Sequence, residues 1–353
     1  MSGAPRVAVV GATGAVGRIM LEVLAAREFA ASEIVPFASE RSAGRVLEGA
    51  GEVRPLRDET IAGFDIAIFS AGGGTSREWS PRFAATGAIV VDNSSAWRMD
   101  PDVPLVVSEV NPHALERIGR GIVANPNCTT MAIMLRLKAL HDAFGLSAIV
   151  VTSFQAAGGA GQKGIEELAA QVPVLHAARE RLIDEGAAAI AGIEHSVHAA
   201  PLAYNVVPWL GADAGEGYSD EEMKLVNESR KILELPELAV SPTCVRVPVM
   251  VGHAIELRAR FEREPELAAA RAALEAFPNL VLDEIPTPAH YAGRDEVAVG
   301  RLRRDLADRH ALNLFVVGDN LRKGAALNAV QIAELLVERG IAGRAPTIAA
   351  ARS

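Results

Sequence analysis

Near the start of the chain, Arg6-Val-Ala-Val-Val10 runs directly into Gly11-Ala-Thr-Gly14-Ala-Val-Gly17, and a helix-patterned stretch then continues to about Ala26. An apolar strand, a glycine turn and a helix leave little choice of local geometry. The glycines permit a tight turn and let the backbone approach a ligand closely. The helix N-terminus adds unpaired N–H groups and the positive end of a dipole, a combination that holds a pyrophosphate. Glycines also occur in ordinary strand–helix connections, so the pattern alone is weak. Its place after a strand and before a helix puts dinucleotide binding ahead. Gly11, Thr13, Gly14, Ala15, Val16 and Gly17 are the candidate contacts.

The first third of the chain repeats this alternation. Ile34–Phe37, Asp65–Phe69, Ala88–Asp92, Pro104–Val107 and Ile122–Ala124 read as strands between helical patterns. Short hydrophobic strands alternating with helices imply a parallel sheet covered on both faces, a Rossmann-like doubly wound α/β arrangement. The organisation changes after about Cys128. Longer strand candidates follow at Ala148–Phe154 and Val245–Phe261, the second alternating from His253 onward as a sheet with one exposed face would. Helical patterns lie around Gly164–Gln171, Asp220–Leu233 and Glu266–Ala276. Together they predict a second, α+β domain with a largely antiparallel sheet. Leu327–Glu338 has helical apolar spacing, and the Ala-rich tail after Ala345 is expected to fray.

Composition removes several classes of function. A chain of 353 residues, half of them apolar, has material for two cored domains. Its net charge of -9, from 35 basic and 44 acidic residues, and the lack of any basic run argue against nucleic acid as a partner. No apolar stretch reaches membrane-spanning length, and Met1–Pro5 lacks a signal-peptide core, so a cytoplasmic protein is expected. Cys128 and Cys244 are the only cysteines. They form no disulfide framework, and neither has a second Cys or a His at zinc-ligand spacing, so no metal is expected.

Two further segments carry chemistry. The second strand ends at Phe37-Ala-Ser39-Glu-Arg41-Ser42, where an NAD site would place an acid for the ribose 2′-hydroxyl. A hydroxyl at Ser39 with a guanidinium at Arg41 suits a 2′-phosphate, so NADP is favoured over NAD. Glu40 opposes this if it points inward, and a plain solvated loop is the alternative. Asn125-Pro-Asn127-Cys128-Thr-Thr130 follows a strand and precedes the apolar helical run Met131–Leu140. That puts Cys128 at a helix N-terminus, whose field favours the thiolate a nucleophile needs. Helix-end N–H groups could also hold the oxyanion of a tetrahedral intermediate. A lone cysteine is more often a small buried apolar residue, and Cys244, without such a turn, is read that way.

Five blocks, in order and over nearly the whole chain, resemble the aspartate-semialdehyde dehydrogenase family. They are Gly11–Gly17, Asn-Ser-Ser-Ala-Trp-Arg-Met-Asp at 93–100, Asn-Pro-Asn-Cys-Thr-Thr at 125–130, Arg-Val-Pro-Val-Met-Val-Gly-His at 246–253, and Asp-Asn-Leu-Arg-Lys-Gly-Ala-Ala-Leu-Asn at 319–328. The resemblance implies that Cys128 is the acyl-accepting nucleophile and His253 its acid/base partner. It implies that Gln155 orients the substrate and that Asn127 is an active-site residue. Arg246 would grip the substrate carboxylate, Glu221 the ammonium, and Arg98 and Lys224 the phosphate. Taken singly, Glu221, Lys224 and Arg98 are more often surface charges, and Glu221 and Lys224, three apart, could simply form an exposed ion pair. Gly158, Gly159 and Asn328 would meet the cofactor. One departure is visible: Ala157 and Gly158 stand where the family often has Val and Ser.

The resemblance also implies the arrangement and the reaction. Residues 1–127 with about 323–353 would bind NADP, the C-terminal helix returning to that domain, and 128–322 would form the catalytic and dimerisation domain of a homodimer or homotetramer. The implied reaction is NADPH-dependent reductive dephosphorylation of aspartyl-4-phosphate to aspartate semialdehyde through a Cys128 thioester, in lysine, threonine and methionine biosynthesis. N-acetyl-glutamyl-phosphate reductase shares this chemistry, but an acylated amine has no use for Glu221. Glyceraldehyde-3-phosphate dehydrogenase has a similar Cys-Thr-Thr turn, but needs an acid at the second strand tip. A catalytically inactive nucleotide-binding relative would not need both Cys128 and His253.

Overall fold

The structure is a computed structural model that describes residues 3–342. The Ala-rich tail after Ala345 lies outside the described residues. The described residues form two compact units: those up to Pro126 together with those from Ala325 on, and Asn127–Gly324.

The first unit is built from β1 (Arg6–Val10), α1 (Ala15–Ala26), β2 (Glu33–Ala38), β3 (Arg54–Pro55), β4 (Ile66–Phe69), α2 (Gly73–Ala85), β5 (Ile89–Asp92) and β6 (Ile122–Ala124). Its sheet runs β3-β2-β1-β4-β5-β6, and every pair is parallel. The central strands are buried almost end to end because side chains on both faces meet helices. Chain order reverses between β1 and β4. In open sheets of this type the crevice beyond the strand ends at that reversal is where ligands bind, and the glycine turn leaves β1 there. Pro104–Val107, expected as a strand, makes only a single bridge, Leu105 to Ala124. The Asn111 side chain accepts the Val107 N–H at 2.8 Å and turns the segment away from the ladder.

The second unit contains α3 (Cys128–Phe144), β7 (Leu146–Gln155), α4 (Gln162–Ala177), α5 (Asp220–Leu233), β8 (Ala239–Arg246), β9 (His253–Phe261), α6 (Leu267–Glu275), β10 (Leu280–Leu282), β11 (Val297–Arg304) and β12 (Ala311–Gly318). Its sheet order is β8-β7-β9-β12-β11-β10. Three pairings are antiparallel, but β8 with β7 and β10 with β11 are parallel, so the sheet is mixed rather than largely antiparallel. The expected long strand Val245–Phe261 is two strands. Pro248 has no N–H for a ladder, and Gly252 sits at φ +97°, so the chain reverses between Arg246 and His253. This break positions the site. β8 and β9 flank β7 on opposite sides, pairing Arg246 with Gln155 and Ala254 with Phe154. Gln155, Arg246 and His253 therefore end up at the same end of three adjacent strands.

Helix α3 packs against α5, α6 and strands β7, β9 and β12, and is buried on almost every face. The other face of that sheet carries partly exposed Thr152, Phe154, Glu256, Arg258 and Phe315, with Val150 exposed. The last helix, α7 (Leu327–Glu338), belongs to the first unit. Its Val330, Ile332, Ala333 and Leu336 share a buried cluster with Val7, Val9, Met20, Val23 and Ile68.

Candidate active site

In the first unit, the turn after β1 needs its glycines for two different reasons. Gly11 has φ +86°, and a Cβ there would run into the Ser70 carbonyl at the end of β4. Gly17 lies on α1, where a Cβ would strike the Gly11 carbonyl. Both are close-approach positions that no larger residue could take without moving backbone. Gly14 is the N-cap of α1 and is exposed, and no side chain caps the helix. An uncapped helix end beside an open glycine turn, with Thr13, Ala15 and Val16 half-buried around it, fits a pyrophosphate.

Ser39 and Arg41 are exposed beyond the end of β2, and Ser42 is half-buried. Glu40 does not point inward: it is exposed, and its carboxylate takes two bonds from Arg57, at 2.8 and 3.1 Å. Arg98 is buried, its guanidinium donating to the carbonyls of Asn125 at 2.9 Å and Asn93 at 2.7 Å. Asn328 is fully buried. It donates to Val106 O and Asn125 Oδ1 and accepts from the Ser108 N–H, while the single hydroxyl proton of Ser108 has its shortest acceptor in Glu109, at 2.7 Å. Its amide thus pins α7 to the loops beside β6.

In the second unit, Asn127 caps α3, its side-chain oxygen accepting from the N–H groups of Thr129 at 2.9 Å and Thr130 at 3.4 Å. Such a cap is worth about 1 kcal/mol. It also takes two of the helix-end donors that the sequence offered for an oxyanion. Cys128 is the first helical residue, and its Sγ lies 3.3 Å from His253 Nε2. The other imidazole nitrogen, Nδ1, accepts the Ala156 N–H at 3.1 Å. A neutral ring whose Nδ1 is an acceptor carries its proton on Nε2, so the proton faces the thiol. Burial, reinforced by the Arg246 charge and only partly opposed by Glu221, pushes His253 down to about 3. The ring is neutral throughout the physiological range. Cys244, by contrast, is buried on β8, and burial pushes its thiol up to about 12.

Around this pair lies a charged network. Glu221, in the first turn of α5, accepts from Lys224 at 2.9 Å, from the Asn127 amide at 2.9 Å and from Gln155 at 3.3 Å. Burial alone would push the Glu221 carboxyl up. Lys224, the Asn127 amide and Arg246 together outweigh burial and hold it below the ordinary carboxylate range. Lys224 also pairs with Asp220 at 3.0 Å. The pair that could have been an exposed salt bridge is a salt bridge, but a largely buried one tied to the nucleophile's cap. Arg246 is buried and donates to the Ala156 carbonyl at 2.7 Å. Gly159 is exposed, and a Cβ there would come within 2.6 Å of an Arg246 guanidinium nitrogen and 3.3 Å of His253 Nε2. Gly158 donates its N–H to the Met250 carbonyl, and a Cβ would approach that oxygen to 2.8 Å. The backbone here fits glycine and would have to shift to take the family's frequent serine.

The second unit therefore brings together Asn127, Cys128, Gln155, Gly159, Glu221, Lys224, Arg246 and His253. Gly11, Thr13, Gly14, Ala15, Val16, Gly17, Ser39, Arg41, Ser42, Arg98 and Asn328 lie in the first unit. Three supports were missed in the sequence. The Ala156 N–H that sets the His253 tautomer is backbone and leaves no side-chain trace. Glu228, one residue type among many on α5, is buried and accepts the Asn127 N–H at 2.7 Å; its spacing of seven from Glu221 on one helix face was the available hint. Gly324, inside the block at 319–328, would place a Cβ 3.0 Å from that of Cys128.

Comparison with known proteins agrees with this architecture. Residues 6–118 match the family described as semialdehyde dehydrogenase, NAD binding domain, and residues 137–323 match semialdehyde dehydrogenase, dimerisation domain. The chain is thus a two-domain dehydrogenase with an NAD-binding domain and a dimerisation domain. It is 51% identical over 333 residues to the aspartate-semialdehyde dehydrogenase of Streptomyces akiyoshiensis, covering 94% of this chain and 98% of that one. The enzyme of Aquifex aeolicus is 45% identical over 347 residues, covering 95% and 99%. A crystal structure of aspartate semialdehyde dehydrogenase II from Vibrio cholerae complexed with ASA superposes with a TM-score of 0.89 at 42% identity, covering 96% of this chain and 99% of that chain. The chain belongs to the aspartate-semialdehyde dehydrogenase family.

Proposed function

We propose that this chain reduces L-aspartyl-4-phosphate to L-aspartate-4-semialdehyde with NADPH, through a thioester on Cys128. The Cys128 thiolate adds to the acyl carbon, the carbon–oxygen bond to phosphate breaks, and phosphate leaves with the electron pair. NADPH supplies a hydride to the acyl carbon. The neutral His253 ring donates its Nε2–H hydrogen bond to the oxyanion of the resulting tetrahedral adduct, and that oxyanion re-forms the carbonyl as the carbon–sulfur bond breaks, returning the thiolate to its contact with Nε2–H. Arg246 holds the α-carboxylate by two parallel bonds, Glu221 holds the ammonium, Gln155 orients the substrate beside the thiol, and Lys224 and Arg98 meet the phosphate. Asn127 sets the helix end from which Cys128 projects.

The observation that carries this reading is the 3.3 Å contact of Cys128 with His253 Nε2, with Nδ1 already occupied by Ala156 N–H. A nucleophile and its proton partner are oriented by a third group, as covalent catalysis requires. The glycine turn and uncapped α1 support dinucleotide binding there, and exposed Ser39 and Arg41, with Glu40 held by Arg57, support NADP over NAD. The cofactor domain comprises the unit up to Pro126 with α7, and the other unit carries catalysis. A second copy packs on the bare face of the second sheet, giving a homodimer or a tetramer of two. No described helix is long and apolar enough to cross a membrane, and two thiols outside any disulfide suit a reducing cytoplasm.

The test is NADP reduction in the reverse direction with phosphate. Aspartate semialdehyde should support turnover, and N-acetylglutamate semialdehyde, which lacks the ammonium that Glu221 holds, should not. Turnover with the acetylated aldehyde alone would overturn the assignment of substrate.

A further inference from the structure

One ionisable side chain near Arg246 has no part in the scheme above. His198 is 92% buried by its 8% exposure, and its Nε2 has no hydrogen-bond partner among the described residues. Burying an imidazole nitrogen without a partner is costly, so a ring held there needs a reason. The segment bearing it is fixed by a single carboxylate. Glu167, on α4, accepts the backbone N–H groups of Ser196 at 2.6 Å, Val197 at 2.8 Å and His198 at 3.1 Å. His198 and Arg246 line the same open cavity of about 310 Å³, together with Trp209, Leu210 and Gly211. The cavity has one cation, one unsatisfied imidazole and no carboxylate in its lining. That is the complement of an anion.

We propose that His198 is a second contact for the ligand carboxylate gripped by Arg246, and so a specificity-determining residue for amino-acid aldehydes over plain aldehydes. The proposal rests on the reading of Arg246 as the carboxylate site. Its physical logic is a proton linkage. Burial opposes protonation of His198 most strongly; of the charged groups facing it, Arg246 also opposes protonation and Glu167 favours it, as does a backbone hydrogen bond with Gly164. The net effect leaves the empty-site imidazole neutral above its lowered pKa. A carboxylate arriving on Arg246 cancels the repulsion from that guanidinium, and a turn of the ring about its χ2 bond gives Nε2, which is closed off in the empty site, an acceptor, so binding draws a proton onto His198. A ligand that raises a pKa binds more weakly as pH rises from the free pKa towards the bound one. The KM for aspartate semialdehyde should therefore climb across that window.

The experiment compares aspartate semialdehyde with 3-aminopropanal, the same aldehyde without its carboxylate, in wild type, His198→Ala, His198→Gln and Arg246→Lys. Thermal melts check folding in each. His198→Ala should lower the ratio of kcat/KM for the two aldehydes about tenfold, mainly through KM. His198→Gln, which keeps a donor but cannot titrate, should recover most of that ratio and lose the wild-type rise of KM with pH. An unchanged ratio in folded His198→Ala, beside a reduced ratio in Arg246→Lys, would overturn this proposal alone. So would a pH profile of His198→Gln identical to wild type. An unchanged ratio in Arg246→Lys would instead overturn the carboxylate assignment on which it rests.

Discussion

Two helices of this protein begin at candidate functional groups, and they begin in opposite ways. Helix α1 starts at Gly14 with no side-chain cap, whereas α3 starts at Asn127, whose side chain takes two of the helix-end N–H groups. At the first, the backbone itself is the ligand-binding group, and glycine keeps side chains out of the way. At the second, the helix end is consumed internally, and what it presents is one side chain, Cys128, aimed at His253. A helix N-terminus is thus not one device. Left bare, it offers donors to an anion; capped, it becomes a rigid mount. The cap also explains how the mount is held, since Asn127 is bonded in turn to Glu221 and Glu228 on α5.

Substitutions that separate the two ends break or sharpen this contrast. The largest effect belongs to Cys128→Ser, which should reduce turnover by about a thousandfold or more while NADP binding, followed by fluorescence titration, stays within about twofold. Loss of both together would mean that the two functions share a structural dependence the contrast denies. Gly14→Ala comes next. Gly14 has φ -76°, which alanine adopts without strain, and the added methyl would meet only the Gly11 carbonyl oxygen, at 3.3 Å, a contact that a shift of a few tenths of an ångström relieves. It should nevertheless weaken NADP about tenfold by keeping the pyrophosphate from the backbone, with the rate of Cys128 alkylation unchanged. If NADP affinity is unaffected, the turn is not the phosphate site.

Arg41→Ala should weaken NADP about fivefold and leave NAD nearly unchanged, since a surface guanidinium facing a 2′-phosphate contributes a modest charge-assisted bond. Equal loss for both cofactors would place Arg41 against a phosphate they share. The smallest effect belongs to Cys244→Ser, expected to leave turnover within about twofold. With its thiol pushed up to about 12 by burial, Cys244 stays protonated through pH 9 and should resist iodoacetamide on the native protein, as peptide mapping would report. Labelling of Cys244 at the rate of Cys128 would remove the distinction between them.

How far the sequence carried these two sites follows from how each is made. The glycine turn is local: strand, glycines and helix are contiguous, and the helix α1 ends at Ala26 as its pattern predicted. The same holds for α5 and α7, whose bounds follow from uninterrupted amphipathic spacing. The second site is not local. Cys128 and His253 are 125 residues apart, and only the family resemblance placed them together in advance. Their meeting depends on the reversal at Pro248 and Gly252, which periodicity read as one continuous strand because apolar residues run through it. The mixed sheet was missed for a similar reason, since alternation within a strand says which face it buries but not the direction of its neighbour. The tautomer of His253 was beyond any sequence reading, because a backbone N–H sets it. Asn328, which the resemblance gave to the cofactor, also pins α7 through its amide, a packing role that no sequence pattern displays.

The central claim is that Cys128 carries the acyl group, and it can be tested by trapping that group. The protein is mixed with aspartate semialdehyde and NADP without phosphate, quenched in acid, digested and examined by mass spectrometry. Oxidation should form the thioester and, with no phosphate to release it, leave the aspartyl acyl group on the peptide containing Cys128. Phosphate added before the quench should remove it, and the Cys244 peptide should remain unmodified throughout. Formation of NADPH with no adduct on Cys128, or an adduct on Cys244 instead, would contradict the account.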